Sequence, residues 1–517
     1  MNPFELICDV DRDFPRRTNI FLGLTVLDIP TGSMRFPFVS GFLSFCGIAN
    51  ASNQFPVDAS LLPITANRSQ VWAHPTSTDH YIEVQSCNLC PGQDLWSGYF
   101  HSVSEGTAIF FLYARAFENP EQAPLAIWSN GGPGTSPLAL AFSRASGCVL
   151  EEDYRGMRLT YDPDVRPRPW NRKMNVIFIE QPLGTGFSKG TAKGEEDSRV
   201  GAEYIYNFLQ VVLSRHPRIP DVSFHSLSFG GHFVPEWSNV VINENAKVKS
   251  GESNNLHVPL KSVTMGNSWF GSDIEYLTRF DALCKPHAYL LDRMPLLPPS
   301  ECKRAAAHRD MCAAHLKRCR NDPSDSCAGA HLWCLRSISF FREQTGRNFY
   351  HISDFLASGE GYDTYPEMVK FLNLRAVQIS LGVIGLEDAT PRKWEFYNER
   401  VSELHTLAGD HVRRTDVLLP KMIEAGVDVL IYEGTSDFIC GLEAVRAVIE
   451  AHDLIPGEVE KQTKIWKNGL GRYVCSRKKR KGRFCYIEVD EEGHGLPIEY
   501  DGWPDIMERW VLGGSVT

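Results

Sequence analysis

The alternation of short apolar runs with longer amphipathic segments is the feature that most constrains the fold of this chain. The runs are short, largely apolar or β-branched, and mostly followed by turns that contain glycine. They comprise Leu125 to Trp128, Asn175 to Ile179, Val222 to Phe224, Val263 to Met265, Val427 to Tyr432 and Cys485 to Val489. Between them, Asp197 to Ser214 has apolar residues at helical spacing, and Glu443 to His452 shows this pattern less clearly. Strand, turn and helix in series predict an α/β fold with a mostly parallel central sheet and helices on both faces.

Residues 271–410 interrupt this alternation. Six cysteines lie between Cys284 and Cys334, and helix-like stretches follow them. We interpret this region as an inserted, cysteine-rich helical cap. The core is then expected in two parts, residues 52–270 and residues 411–517.

The amino terminus resembles a targeting segment. Arg35, the apolar stretch Phe36 to Ile48 and the small-residue end Ala49 to Ala51 have the order of a signal peptide cleaved after Ala51. Because this pattern begins at Met34, we interpret residues 1–33 as an upstream mis-extension and residues 34–51 as the signal peptide. An ordinary buried segment is the alternative.

Charge and hydropathy exclude two classes of protein. The 53 Lys and Arg residues against 63 Asp and Glu residues give a net charge of −10. An acidic chain is a poor match for nucleic acid, whose binding depends on a basic face. No apolar run reaches the ~18 residues that a membrane-spanning helix requires, so we expect neither a nucleic-acid partner nor a transmembrane segment.

Cysteine usage favours an oxidising compartment. Of 14 cysteines, 12 remain after the predicted leader, and an even set on a secreted chain predicts disulfides. Cys475 and Cys485 flank a short basic loop between two strand-like segments, so we expect them to bridge a hairpin. Asn67 begins the one glycosylation sequon of the predicted mature chain.

A metal site is the alternative for some of these cysteines. The candidate ligands are Cys87 with Cys90, and the series Cys302, His308, Cys312, His315 and Cys319. The spacing lacks a second matching pair, so we favour disulfides and expect no metal.

The candidate catalytic chemistry begins at Ser228. The strand from Val222 runs into Ser226-Leu-Ser-Phe-Gly230 and then a helix, which is the pattern of a nucleophile elbow. Asp437 and His494 each follow a predicted strand, at the carboxyl ends where catalytic groups gather. The order Ser, Asp, His is that of α/β hydrolases.

Each candidate has a role in acyl transfer. His494 would take the proton of Ser228 and return it to the leaving group, and Asp437 would orient the imidazole. The backbone amides of Gly132 and Phe229 would form the oxyanion hole. Taken singly, the histidine could be a polar loop residue, the aspartate a helix cap and the glycine a turn former; their joint spacing favours the catalytic interpretation.

These residues carry a resemblance to the serine carboxypeptidases. The resemblance spans Tyr81 to Trp510, and its ordered motifs are Trp128 to Gly134, Glu180 to Ser188, Ser228 to Pro235, Gly266-Asn267, Tyr432 to Cys440 and Gly493 to Pro497. Cys87 and the stretch Gly147 to Asp153 look most like a secreted fungal branch. The resemblance implies an α/β hydrolase with a helical cap and no cofactor, with Ser228, Asp437 and His494 as the triad. It also implies that Asn130 and Gly131 hold the terminal carboxylate of the substrate.

The chain departs from the family where the substrate is recognised. Two glutamates of the family, which share a proton and bind the carboxylate of the peptide, are replaced here by Leu227 and Arg144. Arg144 could bind a carboxylate directly, or it could point to solvent, in which case recognition is lost. Gly495 and Gly441-Leu442 also replace usual family residues, which suggests a remodelled leaving-group pocket.

The sequence therefore predicts a secreted or vacuolar serine carboxypeptidase that acts on peptides through an acyl-enzyme on Ser228. One alternative is an acyltransferase or esterase of the same fold, acting on a small acyl substrate. Another is a catalytically silent binding protein. The basic stretch 477–483 is interpreted as a solvated hairpin tip, and the sequence makes no prediction of the oligomeric state.

Overall fold

The structure is a computed structural model that describes residues 69–153, 156–162, 168–190, 197–286, 294–321, 326–355, 365–466, 469–476 and 480–516. The predicted leader, residues 1–33 and Asn67 lie outside the described residues. Within the ranges that are described, no helix is both long enough and apolar enough to cross a membrane.

Twelve strands form one large sheet in the described part of the chain, in the order β1-β2-β3-β4-β8-β5-β9-β10-β13-β16-β15-β14. These strands are β1 (Gln70–Ala73), β2 (His80–Cys87), β3 (Leu95–Ser102), β4 (Thr107–Ala114), β5 (Leu125–Ser129), β8 (Asn175–Ile179), β9 (Val222–Leu227), β10 (Leu260–Gly266), β13 (Asp428–Gly434), β14 (Lys464–Ile465), β15 (Gly471–Cys475) and β16 (Phe484–Val489). Two separate hairpins are formed by β6 (Cys148–Asp153) with β7 (Gly156–Tyr161) and by β11 (Arg347–Asn348) with β12 (His351–Phe355).

The predicted parallel arrangement is found in the centre of this sheet. Neighbouring strands from β8 through β5, β9, β10 and β13 to β16 all run parallel. The outer strands, β1 to β4 on one side and β14 and β15 on the other, pair antiparallel, so the sheet as a whole is mixed. Every residue of β5, β8, β9, β13 and β16 is buried, which explains their nearly continuous apolar sequences.

Helices pack around this sheet. The longer ones in the core are Ser198–Arg215, Gly230–Ser250, Leu442–Ala451 and Trp503–Val511. The first begins at the N-cap Asp197, whose side chain accepts a hydrogen bond from the Arg199 N–H at 2.8 Å. The second ends at Gly251, which adopts the left-handed conformation, with φ of 79°, that terminates many helices.

The stretch between β10 and β13 is mainly helical. Its helices are Asp273–Ala282, Pro299–Asn321, Ser326–Cys334, Arg336–Thr345, Pro366–Leu372, Arg375–Ser380, Glu399–Leu407 and Leu419–Ala425. This content is what a helical cap requires, and the boundaries 271 and 410 stay predictions.

Disulfides account for most of the cysteines. The bonds are Cys90–Cys148, Cys284–Cys302, Cys312–Cys334, Cys319–Cys327 and Cys475–Cys485. The hairpin bridge is therefore confirmed, and the metal interpretation is wrong for Cys90, Cys302, Cys312 and Cys319 because their sulfur atoms are in disulfides.

The expectation that all twelve cysteines pair is wrong for Cys87 and Cys440. Both are free and buried. Cys87 ends β2 within the hydrophobic core, and Cys90, beyond the strand, is the residue that reaches Cys148 at the start of β6. Cys440 lies beside Asp437 and His494 instead of another sulfur atom.

A close contact between neighbouring strands predicts the effect of a substitution at Gly266. A Cβ at this position would lie 1.8 Å from the Tyr432 ring of β13. We expect Gly266→Ala to lower the free energy of unfolding by about 3 kcal/mol, because the buried ring has no room to move. The measurement is chemical denaturation.

Gly329→Ala is the matched control. Gly329 lies in the helix Ser326–Cys334, and a Cβ there would meet nothing within 4 Å. This variant should gain about 0.5 kcal/mol from helix propensity. Equal stability of the two variants would contradict the packing argument.

Candidate functional site

Ser228 occupies a sharp turn between β9 and the helix Gly230–Ser250. Its φ is 59°, in the left-handed region that residues with a side chain seldom adopt. The turn is held by the Ser228 N–H, which donates to the Gly266 carbonyl at 2.9 Å, and by the Trp269 N–H, which donates to the Ser228 carbonyl at 2.8 Å. This is the geometry expected of a nucleophile elbow.

Small residues make the turn feasible. A Cβ on Gly230 would lie 1.9 Å from Ser226 Oγ, and one on Gly231 would lie 2.3 Å from the Trp269 carbonyl oxygen. Ser226, which stands where an elbow usually has glycine, donates its hydroxyl to the Ser129 carbonyl at 2.6 Å. Its side chain therefore ties β9 to β5.

Asp437 and His494 are brought together as predicted. His494 Nδ1 lies 2.7 Å from Asp437 Oδ2, and both residues are at most 5% exposed. Asp437 Oδ1 accepts the Ile439 N–H at 2.9 Å. Because Nδ1 bears the proton that faces the carboxylate, Nε2 is left as the basic nitrogen.

Asn267 is a third polar residue at this site, and the sequence did not identify its role. Its Nδ2 donates to Asp437 Oδ2 at 2.9 Å and to the Gly493 carbonyl at 3.0 Å. Its Oδ1 accepts the Gly434 N–H at 3.2 Å. One side chain at the end of β10 thus fixes the segments that carry the aspartate and the histidine. In the sequence, the Gly266-Asn267 motif and its place after a strand marked the residue but not its role.

Cys440 completes a compact group with the aspartate and the histidine. Asp437, Cys440 and His494 each place one potential ligand atom within 4.8 Å of the others. Burial, followed by the negative charge of Asp437, raises the pKa of the Cys440 thiol well above its usual value. A neutral thiol is a poor metal ligand, so we interpret Cys440 as packing against the aspartate and the histidine.

The predicted oxyanion donors lie next to the nucleophile. A Cβ on Gly131 would lie 2.6 Å from the Phe229 nitrogen and 2.7 Å from Ser228 Cβ, so the glycine turn is in direct contact with the elbow. Within the described ranges, the N–H groups of Gly132 and Phe229 donate no hydrogen bond. Two uncommitted amides beside a serine are what an oxyanion hole needs.

Among the residues predicted to bind the substrate carboxylate, the structure describes the side chain of Asn130 but not that of Arg144. Asn130 is buried, and its amide is held by the Trp128 Nε1–H at 2.7 Å and by the Ser136 carbonyl at 3.1 Å. Leu227 is a buried core residue. Arg144 lies in the short π-helix Ala141–Ala145, and its side chain lies outside the described residues.

Glu180 is a buried carboxyl group that joins two of the loops at this edge. Its oxygens accept the Ser136 hydroxyl, the Phe187 N–H at 2.6 Å and the Trp394 Nε1–H at 3.1 Å. Burial outweighs these bonds and raises its pKa to about 7. The Glu180 to Ser188 motif marked the segment in the sequence, and the contact with Ser136 becomes visible only in the fold.

The fold and these residues together define an α/β hydrolase with a candidate serine nucleophile. Residues 88–513 match the serine carboxypeptidase family. The chain therefore belongs to the serine carboxypeptidase family, as the motifs predicted.

Individual relatives agree with this assignment and with the predicted likeness to fungal enzymes. Carboxypeptidase Y of Schizosaccharomyces pombe is 28% identical over 437 residues, which cover 81% of this chain and 41% of the relative. Carboxypeptidase S1 of Penicillium janthinellum is 27% identical over 432 residues, covering 80% of this chain and 93% of the relative. These matches confirm the predicted serine-type carboxypeptidase class.

A solved structure supports the fold. The crystal structure of Kex1(delta)p, a prohormone-processing carboxypeptidase from Saccharomyces cerevisiae, aligns with a TM-score of 0.61 at 18% identity. The alignment covers 82% of this chain and 94% of that one.

The three bonds of Asn267 predict that its removal impairs activity. Asn267→Ala leaves Asp437 with one donor fewer and frees the loop of His494, so kcat/KM should fall about 10- to 100-fold through misplacement of the imidazole. The control is Asn245→Ala, which breaks a comparable pair of bonds to the Val258 backbone away from the site. Equal activity of the two variants would contradict a positioning role for Asn267.

The raised pKa of Glu180 predicts a pH dependence of stability. Glu180 has a pKa of about 7 in the folded protein and an ordinary carboxyl pKa in the unfolded chain. Its protonated form therefore stabilises the fold, and this contribution is complete at pH values below the unfolded pKa. That contribution, about 3 kcal/mol by linkage, is lost as the pH rises from the unfolded to the folded pKa. The difference in unfolding free energy between wild type and Glu180→Gln should therefore fall between about pH 4.5 and 7.

The exposed Glu203→Gln variant is the control for this measurement, since Glu203 lies on the solvent side of the helix Ser198–Arg215. Its difference from wild type should stay flat over the same pH range. A flat profile for the Glu180 variant as well would contradict a protonated Glu180.

Proposed function

We propose that this protein releases carboxy-terminal residues from peptides through an acyl-enzyme on Ser228. The observation that carries the proposal is the buried His494 to Asp437 contact of 2.7 Å, at the same edge of the sheet as a serine in the left-handed conformation. Membership in the serine carboxypeptidase family supports the reaction type.

The proposed chemistry assigns one step to each group. His494 Nε2 removes the Ser228 proton as Oγ attacks the carbonyl carbon, and Asp437 stabilises the imidazolium that forms. The N–H groups of Gly132 and Phe229 stabilise the oxyanion. His494 then protonates the departing amine, which breaks the peptide bond, and water releases the acyl group by the same steps in reverse roles.

Recognition of the terminal carboxylate is proposed to involve Asn130, Gly131 and Arg144. The family's pair of acidic residues is absent, and Leu227 is buried among apolar side chains. A guanidinium at position 144 would bind the carboxylate by charge instead of by a shared proton.

The apolar Leu227 also favours a second candidate function, which is acyl transfer or ester hydrolysis by the same triad. A site without carboxylate recognition would have no need for a free peptide terminus. We further propose export through the secretory pathway, to the outside of the cell or to a vacuole. Five disulfides support this location, because such bonds persist in oxidising compartments.

The test measures release of free amino acids from blocked dipeptides between about pH 4 and 8, a range that covers carboxylate and histidine titration. Ser228→Ala should abolish release, and Arg144→Ala should lower kcat/KM by about tenfold or more. Arg304→Ala is the control, because Arg304 is exposed and pairs with Glu301 on the same helix.

A fluorophosphonate label on Ser228 separates the alternatives. Wild type that takes the label but releases no amino acid contradicts the carboxypeptidase and favours acyl transfer or ester hydrolysis. Folded wild type that takes no label favours the binding protein.

A further inference from the structure

Arg279 is a buried arginine on an aromatic wall next to the nucleophile turn. It lies in the helix Asp273–Ala282 and is 5% exposed. Its Cζ lies 4.4 Å from the Trp269 ring and 5.8 Å from the Tyr276 ring. Trp269 is fixed by its N–H, which donates to the Ser228 carbonyl at 2.8 Å, and by its Nε1–H, which donates to the His411 carbonyl at 3.0 Å. The guanidinium therefore lies against the ring of a residue whose backbone N–H is hydrogen-bonded to the backbone carbonyl of Ser228.

Arg279 lies close enough to the candidate triad to interact electrostatically with groups there. Cys440 and Asp437 are among the groups with which it interacts electrostatically, and Cys440 is the first of these. Cys440 Sγ lies within 4.8 Å of the ligand atoms of Asp437 and His494. The helix of Arg279 also packs against the helix Leu442–Ala451, which begins two residues after Cys440.

Arg279 has no ion-pair partner in the described part of the chain. Among the described residues, no carboxylate lies within 4.0 Å of its nitrogens. Glu275, one turn earlier on the helix, instead accepts the N–H groups of Phe270 at 3.0 Å and Ser272 at 2.8 Å. Asp437 is occupied by His494 and Asn267.

Arg446 is a second, largely buried arginine that can be compared with Arg279. It lies on the neighbouring helix Leu442–Ala451 and makes two bonds to Glu488, at 2.7 and 2.8 Å. Among the described residues, Arg279 has no such carboxylate partner.

Asp437 is the acidic group near Arg279 that belongs to the candidate triad, and three further acidic side chains of this region have raised pKa values. Burial raises the pKa of Glu275 to about 8. Burial, followed by the charge of Asp437, raises the pKa of Glu433 well above its usual value. Burial also raises the pKa of Cys440. The guanidinium itself stays charged at neutral pH.

A buried cation without a partner lowers stability, and proteins retain such groups where function requires them. We propose that Arg279 binds a carboxylate side chain of the substrate beside the candidate triad, and so selects peptides with an acidic residue next to the scissile bond. This inference rests on the proposed function and adds a substrate class to it. It is separate from Arg144, which is assigned to the terminal carboxylate.

The proposed preference for an acidic side chain follows from charge pairing at a buried site. A glutamate side chain would supply the missing counter-ion through two parallel N–H bonds. A glutamine of the same shape would leave the cation unpaired, so its transition state would be less stabilised. The discrimination is therefore between a charge and its neutral isostere.

The experiment compares glutamate with glutamine in blocked dipeptides, first at the penultimate position and then at the terminal position. The wild type is expected to prefer glutamate in one of them, and that position identifies the side of the scissile bond that Arg279 contacts. Arg279→Met should reduce the ratio of kcat/KM for glutamate over glutamine by about 10- to 100-fold. Arg279→Lys should keep part of the preference, and Arg304→Met, which removes a cation lying 5.5 Å from the Phe340 ring, should keep all of it.

The same ratio of kcat/KM for glutamate over glutamine can also contradict the inference. A wild type without a glutamate preference at either position overturns it. So does an equal loss of activity on both substrates in Arg279→Met, which would indicate a structural role or contact with the terminal carboxylate. Fluorophosphonate labelling checks that each variant has folded, and if the Met variant does not label, the Lys variant and the wild-type ratio decide.

The p-nitrophenyl esters of blocked glutamate and glutamine separate this inference from the proposed function. If wild type cleaves the esters but no peptide, the carboxypeptidase proposal fails, and the ester ratio in wild type and Arg279→Met still tests Arg279. If peptides are cleaved with no glutamate preference, the inference alone fails.

Discussion

The candidate site depends on backbone segments that approach each other too closely for side chains to fit between them. Gly131 touches the turn of Ser228, Gly230 and Gly231 allow the helix to begin immediately after it, and Gly266 lies against the Tyr432 ring. The left-handed backbone conformation of Ser228 is tolerated because these contacts restrict the path of the backbone. The glycines therefore determine the position of the serine, and the polar residues determine its reactivity.

The same edge of the sheet contains an unusual distribution of charge. Glu180, Glu275 and Glu433 are fully enclosed, and burial raises the pKa of each one. Asp437 is instead hydrogen-bonded to a histidine and an asparagine. Arg279 lies near this edge and has no carboxylate within ion-pair distance among the described residues.

The sequence predicted those parts of the molecule that repeat a local pattern. The central strands and the helix from Ser198 were recognised because continuous apolar runs and helical spacing are local properties, and Asn175–Ile179 agrees at both ends. Of the outer antiparallel strands, β2 was missed because its polar and apolar residues alternate irregularly, whereas the apolar run of β4 was overlooked. The roles of Asn267 and Arg279, like the free state of Cys87, depend on which distant segments meet, and spacing along the chain does not encode that.

The two edges of the large sheet have a consequence for the behaviour of the protein in solution. Among the described strands, one edge is β1, four residues long with one buried residue, and the other is β14, which is two exposed residues, Lys464 and Ile465. Such short edges offer few free backbone groups to the strand of another molecule. A truncation that removed β1 would expose the eight residues of β2 as the new edge, and would turn a molecule with blunt edges into one prone to pair with copies of itself.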